Sequence, residues 1–394
     1  MNRSPKKVLI VFGTRPEAIK MAPVVQVLGR SDAFQAVVAV TAQHREMLDQ
    51  VLALFGIVPE YDLNIMQEGQ TLFEVTIRAL GGLERVLREV RPEIVLVHGD
   101  TTTTFTTALA AFYLKIPVGH VEAGLRTGEK YAPFPEEINR HLTAVLSDVN
   151  FAPTARARAA LLGEGADAES IFVTGNTVID ALYQVVRPDH RFGDAALEAA
   201  VKGGKRLVLV TTHRRENWGE PLAGVYRALR RVVMNHDDIT VVFPVHRNPV
   251  VFQAAVKEFA GCPRVHLIEP LPYSDFANLM ARSFLVLTDS GGLQEEAPAL
   301  GKPVLVLRDV TERPEAIEAG TVMLVGTNEN RVFAAVEKLL NDEAFYNQMA
   351  EAVNPYGDGQ AAMRIEGGLK CFLGLGPRPE EFSPPVCSQG HKML

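Results

Sequence analysis

The chain has 394 residues, 47% of them hydrophobic, and a formal net charge of −7 at pH 7. That length suits two domains better than one core. The acidic balance presents no basic surface for nucleic acid or an anionic membrane, so an anionic ligand has to be held by local arginines and helix ends.

The opening MNRSPKKVLIVFG puts basic residues before an apolar run. The run is too short for an export signal and passes straight into a strand-turn-helix pattern, so a cytoplasmic protein is expected. No apolar segment is long enough to span a bilayer. Cys262, Cys371 and Cys387 lack CxxC spacing, which predicts a reducing compartment and no structural zinc or other metal site.

In the first half, strands are predicted over Val8–Phe12, Ala36–Val40, Ile94–Val97, Val118–Val121, Val149–Ala152 and Ile171–Thr174. Helices are predicted over Glu17–Gly29, Arg45–Phe55, Leu72–Val90 and Thr104–Leu114. Strands that are apolar on both faces, each followed by a helix, imply a parallel sheet covered on both sides. After the first strand, Gly13 permits a tight turn and Pro16 suits a first helical position. Arg15 and Lys20 then become candidate phosphate partners, or a solvated basic pair. His98-Gly99-Asp100-Thr101 closes a later strand, where Asp100 is either a reactive carboxylate or part of a helix N-cap. Strand alternation puts His120 and Glu122 on one face. After Pro133-Phe134-Pro135, Glu136 and Arg140 share a helical face, which is also what an ordinary surface ion pair would show. Asp100, Glu122 and Glu136 thus converge from three loops. Crowded carboxylates raise one another's pKa, as an acid/base pair requires.

The pattern lapses near 182–204 and restarts, which places a domain boundary there. In the second half, strands are predicted over Leu207–Thr211, Thr240–Pro244, Val265–Ile268, Phe284–Leu287, Val304–Leu307 and Met323–Val325. Helices are predicted over Glu220–Met234, Val250–Phe259, Asp275–Ala281 and Arg331–Leu340. His213 with Arg214 and Arg215 follows one strand end and suits an anion or a proton transfer. His246 ends the next strand in the same way. In TDSGGLQEEAP, Ser290, Gly291 and Gly292 form a turn of minimal bulk before a helix start, a cradle for phosphate. Glu295 and Glu296 behind it could accept ribose hydroxyls; acidic residues also simply sit well at helix starts. Arg308 and Arg313 could close a nucleotide site. There is no G-x-G-x-x-G fingerprint. The fold class is therefore α/β, with two doubly wound Rossmann-like domains facing a cleft: 1–182 with the carboxylates and 205–355 with the nucleotide site. Residues 374–394, rich in Pro and Gly, are expected to be disordered.

The motifs FGTRPEAIKMAPV, HGDTTTT, HVEAGLRTG, PFPEEINR, VTGNTVID, THRREN, TDSGGLQEEAP and GKPVLVLRDVTERPEA resemble those of the non-hydrolysing bacterial UDP-N-acetylglucosamine 2-epimerases. They fit in order and spacing over roughly residues 8–325. The resemblance implies a glycosyltransferase-B-like fold, with residues 356–373 as a helix returning to the first domain. It implies Asp100, Glu122, Glu136 and His213 as catalytic residues. It implies Arg15, Lys20, Arg140, Phe276, Ser290, Gly291, Gly292, Glu296 and Arg313 as substrate-binding residues. Many members are activated by UDP-N-acetylglucosamine at a second position, matched here by Gln43, Gln70, Arg214 and His246. No cofactor is implied, and a homodimer is expected. Leu271 departs from the glutamine of some members.

The substrate implies the mechanism. The proton at sugar C2 is not acidified by a carbonyl, so loss of UDP from C1 is expected first, with oxocarbenium character stabilised by carboxylates. Removal of the C2 proton gives 2-acetamidoglucal; proton return to the opposite face and re-addition of UDP give the epimer. A hydrolysing epimerase and a UDP-sugar glycosyltransferase are the rival enzymes. A nucleotide-sugar sensor is the rival of another class, and would not need the carboxylates.

Overall fold

The computed structural model describes residues 4–42 and 45–385. The chain divides into two compact units, one joining Met1–Tyr183 to Tyr356–Ser383 and the other joining Gln184–Pro355 to the residues from Pro384.

The first unit is built on β1 (Lys6–Phe12), β2 (Phe34–Val40), β3 (Tyr61–Asp62), β4 (Ile94–His98), β5 (Val118–Val121), β6 (Val149–Ala152) and β7 (Ile171–Val173). They pair in parallel in the order β3-β2-β1-β4-β5-β6-β7. Val8, Leu9, Ile10 and Phe12 are fully buried, so β1 needs cover on both faces. The helix Leu72–Val90 supplies part of it through Val75, Ala79, Leu83, Val86 and Val90, buried at helical spacing. Its start is set by a capping box. Glu74 N donates to Thr71 Oγ1 (3.3 Å), and Thr71 N donates to Glu74 Oε2 (2.7 Å). The two-residue β3 carries no apolar alternation and was not predicted.

The second unit carries β8 (Arg206–Thr211), β9 (Ile239–Pro244), β10 (Val265–Ile268), β11 (Leu285–Thr288), β12 (Val304–Val306) and β13 (Val322–Leu324), all parallel, in the order β10-β9-β8-β11-β12-β13. Val208, Val210, Tyr226, Leu229, Phe243, Leu285 and Leu287 lie at its core. The fold class is α/β, with two Rossmann-like sheets. In each sheet the strand order reverses once, between β1 and β4 in the first and between β8 and β11 in the second. Connections leave to opposite faces at such a point, opening a crevice beyond the strand carboxyl ends.

Residues 184–204, read from sequence as the boundary, belong to the second unit and include a helix, Ala195–Lys202. Asp194 Oδ1 caps it by accepting from Ala196 N (2.7 Å) and Leu197 N (2.9 Å). The helix Ala361–Phe372 belongs to the first unit. Asp180 accepts from Ala361 N (3.1 Å) and Ala362 N (2.9 Å) at its start. The expected disorder after Gly374 does not hold through residue 385. Phe382 is buried and its N–H donates to Val173 O (2.8 Å), Arg158 pairs with Glu381 (3.0 Å), and Arg378 donates to Ile171 O. An edge strand with open carbonyls and an apolar slot offset the low local propensity. Among the described residues, no helix is long and apolar enough to cross a membrane.

Candidate active site

In the first unit the turns after β1 and β4 meet at the switch point. Gly13 is there because nothing larger fits: a Cβ would lie 2.1 Å from Thr41 Oγ1 and 2.5 Å from Thr103 Oγ1. The buried Glu17 carboxyl binds both turns together. It accepts from Gly13 N (3.1 Å), Thr14 N (2.8 Å) and Thr14 Oγ1 (2.8 Å) on one side, and from Thr101 Oγ1 (2.8 Å) on the other. Burial pushes Glu17 above the usual carboxylate range, although His98 and these donors pull the other way. Arg15, half-buried, opens the helix Arg15–Gly29, and Lys20 follows one turn on.

Lys20 Nζ pairs with Glu122 Oε2, which also accepts from Asn176 Nδ2 (2.8 Å). Glu122 does not share a strand face with His120. β5 ends at Val121, and Glu122 turns into the left-handed region at φ 60°. That conformation is costly for a residue with a Cβ. His120 is instead buried, with Nε2 donating to Gly99 O (2.7 Å). Burial lowers its pKa to about 4, so the ring is neutral at pH 7.

Asp100 follows Gly99. Its Oδ2 accepts from Arg140 Nε (2.8 Å) and Nη2 (2.6 Å), and its carbonyl accepts from Asn139 Nδ2 (2.9 Å). The ordinary ion pair that the spacing of Glu136 and Arg140 also allowed is not what forms: Arg140 binds Asp100 and Glu137 (2.8 Å). This leaves Glu136, which burial pushes above the usual carboxylate range, with the nearby Asp100 charge adding to the rise and Arg140 opposing it. The first unit thus places Asp100, Glu122, Glu136, Lys20 and Arg140 around one switch point.

In the second unit, β8 and β11 lie side by side, with Thr211 Oγ1 and Thr288 Oγ1 2.6 Å apart. His213 and Arg214 leave one strand, and Asp289 to Gly292 leave the other. Asp289, fully buried, organises the pair. It accepts from His213 N (3.0 Å), Arg214 N (3.0 Å) and Asn217 Nδ2 (3.2 Å), and faces His213 Nδ1 at 2.9 Å. Burial works to raise its pKa, but the His213 ring and the two backbone donors hold it below the usual range. The His213 ring is thereby fixed through Nδ1, while its side chain is 45% exposed. Arg214 Nε donates to Asp289 O (2.8 Å), and its guanidinium lies against Gly291. Gln294 Nε2 donates to Ser290 O (3.1 Å) and steadies the turn. Arg313 pairs with the buried Glu295, while Glu296 lies beside Tyr273. Phe276 is half-buried on the helix Tyr273–Ala281. Arg308, a candidate for closing the site, is instead spanned between Glu216 (3.0 Å) and Glu312 (3.0 Å).

The expected activator positions fall in both units. Gln70 accepts from Gln67 N (3.1 Å) in the first unit. In the second, Arg214 stands beside His213, and the exposed His246 accepts from Asn248 N (3.1 Å) at Nδ1. Gln43 lies outside the described residues. Among the described residues, no group of three or more His, Cys, Asp or Glu could hold a metal ion.

A family model described as UDP-N-acetylglucosamine 2-epimerase matches residues 26–370. The chain belongs to the UDP-N-acetylglucosamine 2-epimerase family. The Bacillus subtilis (strain 168) UDP-N-acetylglucosamine 2-epimerase is 56% identical over 378 residues, 96% of this chain and 98% of that protein. A co-structure of S. aureus MnaA with UDP is 48% identical with a TM-score of 0.88, covering 96% of this chain and all of that one (100%). The Neisseria meningitidis UDP-GlcNAc 2-epimerase, solved bound to UDP-GlcNAc, is 46% identical with a TM-score of 0.83, covering 93% of this chain and 100% of that one.

Within this epimerase family member, sequence reasoning passed over four residues at the two switch points: Glu17, His98, Asn176 and Asp289. Thr14-x-x-Glu17 is legible as a capping box, and Asp289 stands inside the TDSGG run. Nothing in the sequence marks Asn176 for its hydrogen bond to Glu122 or His98 for its place near the same carboxylate.

Proposed function

We propose that this chain is a non-hydrolysing epimerase that interconverts UDP-N-acetylglucosamine and UDP-N-acetylmannosamine. The observation that carries the reading is the cluster at the β1/β4 switch point, where ion-paired Asp100 and Glu122 stand with a Glu136 that burial keeps toward its protonated form. A sensor would need no such arrangement. Glu122, fixed by Lys20 and Asn176, is the base for the C2 proton, and Glu136 is the acid. UDP leaves as the C1–O bond breaks; the electron pair of the C2–H bond becomes the C1=C2 bond of 2-acetamidoglucal. Protonation of the opposite face and re-addition of UDP complete the exchange. His213, Ser290, Gly291, Gly292, Glu296, Phe276 and Arg313 hold the nucleotide in the second unit. Arg15 binds the phosphates, and Lys20 and Arg140 serve the reacting end.

The deciding experiment is turnover of UDP-N-acetylglucosamine in heavy water without an acceptor. Deuterium is expected at C2 of both UDP-linked epimers. Free N-acetylmannosamine would point to a hydrolysing enzyme, and complete protium retention at C2 would sink the elimination.

UDP-N-acetylglucosamine is also the activator, through Gln43, Gln70, Arg214 and His246. A ligand activates only by preferring one of two states. Reaction from UDP-N-acetylmannosamine alone is therefore expected to lag, and a trace of UDP-N-acetylglucosamine to abolish the lag; a progress curve indifferent to that addition would contradict activation. The chain works as a homodimer; Phe73 and Ile77, one turn apart on the helix Leu72–Val90 and 81% and 69% exposed, offer apolar surface for a partner copy. The free Cys262 and Cys371 suit the cytoplasm.

A further inference from the structure

His98 is the last residue of β4 and is 3% exposed. Neither ring nitrogen has a hydrogen-bond partner among the described residues. Leaving a buried polar group unsatisfied is costly, so an apolar side chain would fill the place more cheaply. The ring's neighbour His120, equally buried, has its Nε2 satisfied by Gly99 O. The backbone at His98 is tied down, since Thr104 Oγ1 donates to His98 O. The ring therefore has a fixed mount. Its Nε2 lies 3.7 Å from Glu122 Oε2, beyond hydrogen-bond reach, while the same oxygen receives Lys20 and Asn176.

A lone pair facing an ionised carboxylate would leave such a gap, because both groups are acceptors. We propose that His98 is a positioning residue that acts through Glu122, with its Nε2 lone pair accepting the O–H that Glu122 acquires when it removes the C2 proton. This rests on the reading of Glu122 as the base. The atoms balance without a co-reactant. The C2–H bond breaks toward C1=C2, the C1–O pair leaves with UDP, and the proton rests on Glu122 Oε2, where its O–H replaces the hydrogen bond from Lys20 or Asn176 and is given to Nε2, until the carboxyl gives it up. The hydrogen bond exists only after transfer has begun, so it lowers the barrier without tightening substrate binding.

The test compares His98→Gln, His98→Asn and His98→Leu in the full chain. Glutamine carries its amide to the Nε2 position, asparagine only to the Nδ1 position, and leucine supplies no acceptor. Leucine and asparagine are expected to lower kcat roughly tenfold or more, the worth of one hydrogen bond to a reacting group, with KM little changed. Glutamine is expected to restore most of the loss. UDP binding and thermal unfolding of each variant separate misfolding from lost turnover; should His98→Leu not fold, the glutamine–asparagine contrast decides. Equal kcat across the series, equal loss in glutamine and asparagine, or a loss confined to KM would overturn the proposal. A wild-type chain that forms no UDP-linked epimer would overturn the functional reading instead.

Discussion

Asp100→Asn, Glu122→Gln and Glu136→Gln are each expected to cut kcat by on the order of 10²–10⁴, the usual contribution of a positioned acid or base, with UDP affinity largely kept. The prediction follows from how the three groups are held. Arg140 grips Asp100 by two nitrogens, Lys20 and Asn176 fix Glu122, and burial favours the protonated form of Glu136. An amide keeps the shape of each side chain and removes its capacity to carry the proton. Glu296→Ala and Arg15→Ala should do the opposite, weakening UDP binding by roughly ten- to hundredfold, the worth of a charged contact, with smaller effect on kcat. Steady-state kinetics with UDP titration by calorimetry read both quantities. Near-normal turnover in all three amide variants would remove the assignment.

Asp289→Ala should strongly destabilise the second unit. It strips a buried acceptor from His213 N, Arg214 N and Asn217 Nδ2 and from the His213 ring. Orphaned buried donors cost about 1–3 kcal/mol each, so a loss on the order of 3 kcal/mol is expected after partial rehydration. For a domain of this size that lowers the unfolding midpoint by roughly 6–12 °C. Because the folded pKa of Asp289 is depressed, its stabilisation is present above the ordinary carboxylate pKa and is lost as pH falls through the depressed value. The wild type should therefore lose more stability than Asp289→Ala on acidification. Thermal scans at neutral and acid pH check this. Equal midpoints for the two proteins at neutral pH would show that the loop is held by something else.

Much of the architecture is legible in the chain because buried parallel strands advertise themselves. Val8 to Phe12 and Val304 to Val306 are apolar on both faces, and a turn of Gly or Thr marks where each switch-point strand stops. The carboxylates were legible for a related reason: each stands directly after such a strand or at a helix start. What was not legible depends on distances in sequence that local pattern cannot bridge. Arg140 meets Asp100 across 40 positions and Glu17 meets Thr101 across 84. Alternation misplaced Glu122 because the strand ends one residue earlier, at a positive φ. Composition suggested disorder after Gly374 because Pro and Gly carry no sign of the waiting Ile171 and Val173 carbonyls.

The chain leaves the first unit at Tyr183 and comes back at Tyr356. The last helix of the first unit is thus translated after every strand of the second. When the ribosome has made every strand of the first sheet, Phe151 and Phe172 still await Gly368, which packs so closely that a Cβ there would sit 2.7 Å from Phe151. The second unit, whose strands all lie between Gln184 and Pro355, has its whole sheet translated while the first is still missing its last helix. Domains usually mature from the N-terminus onward; here the unit that carries the carboxylates takes its last helix from residues translated after every strand of the second unit.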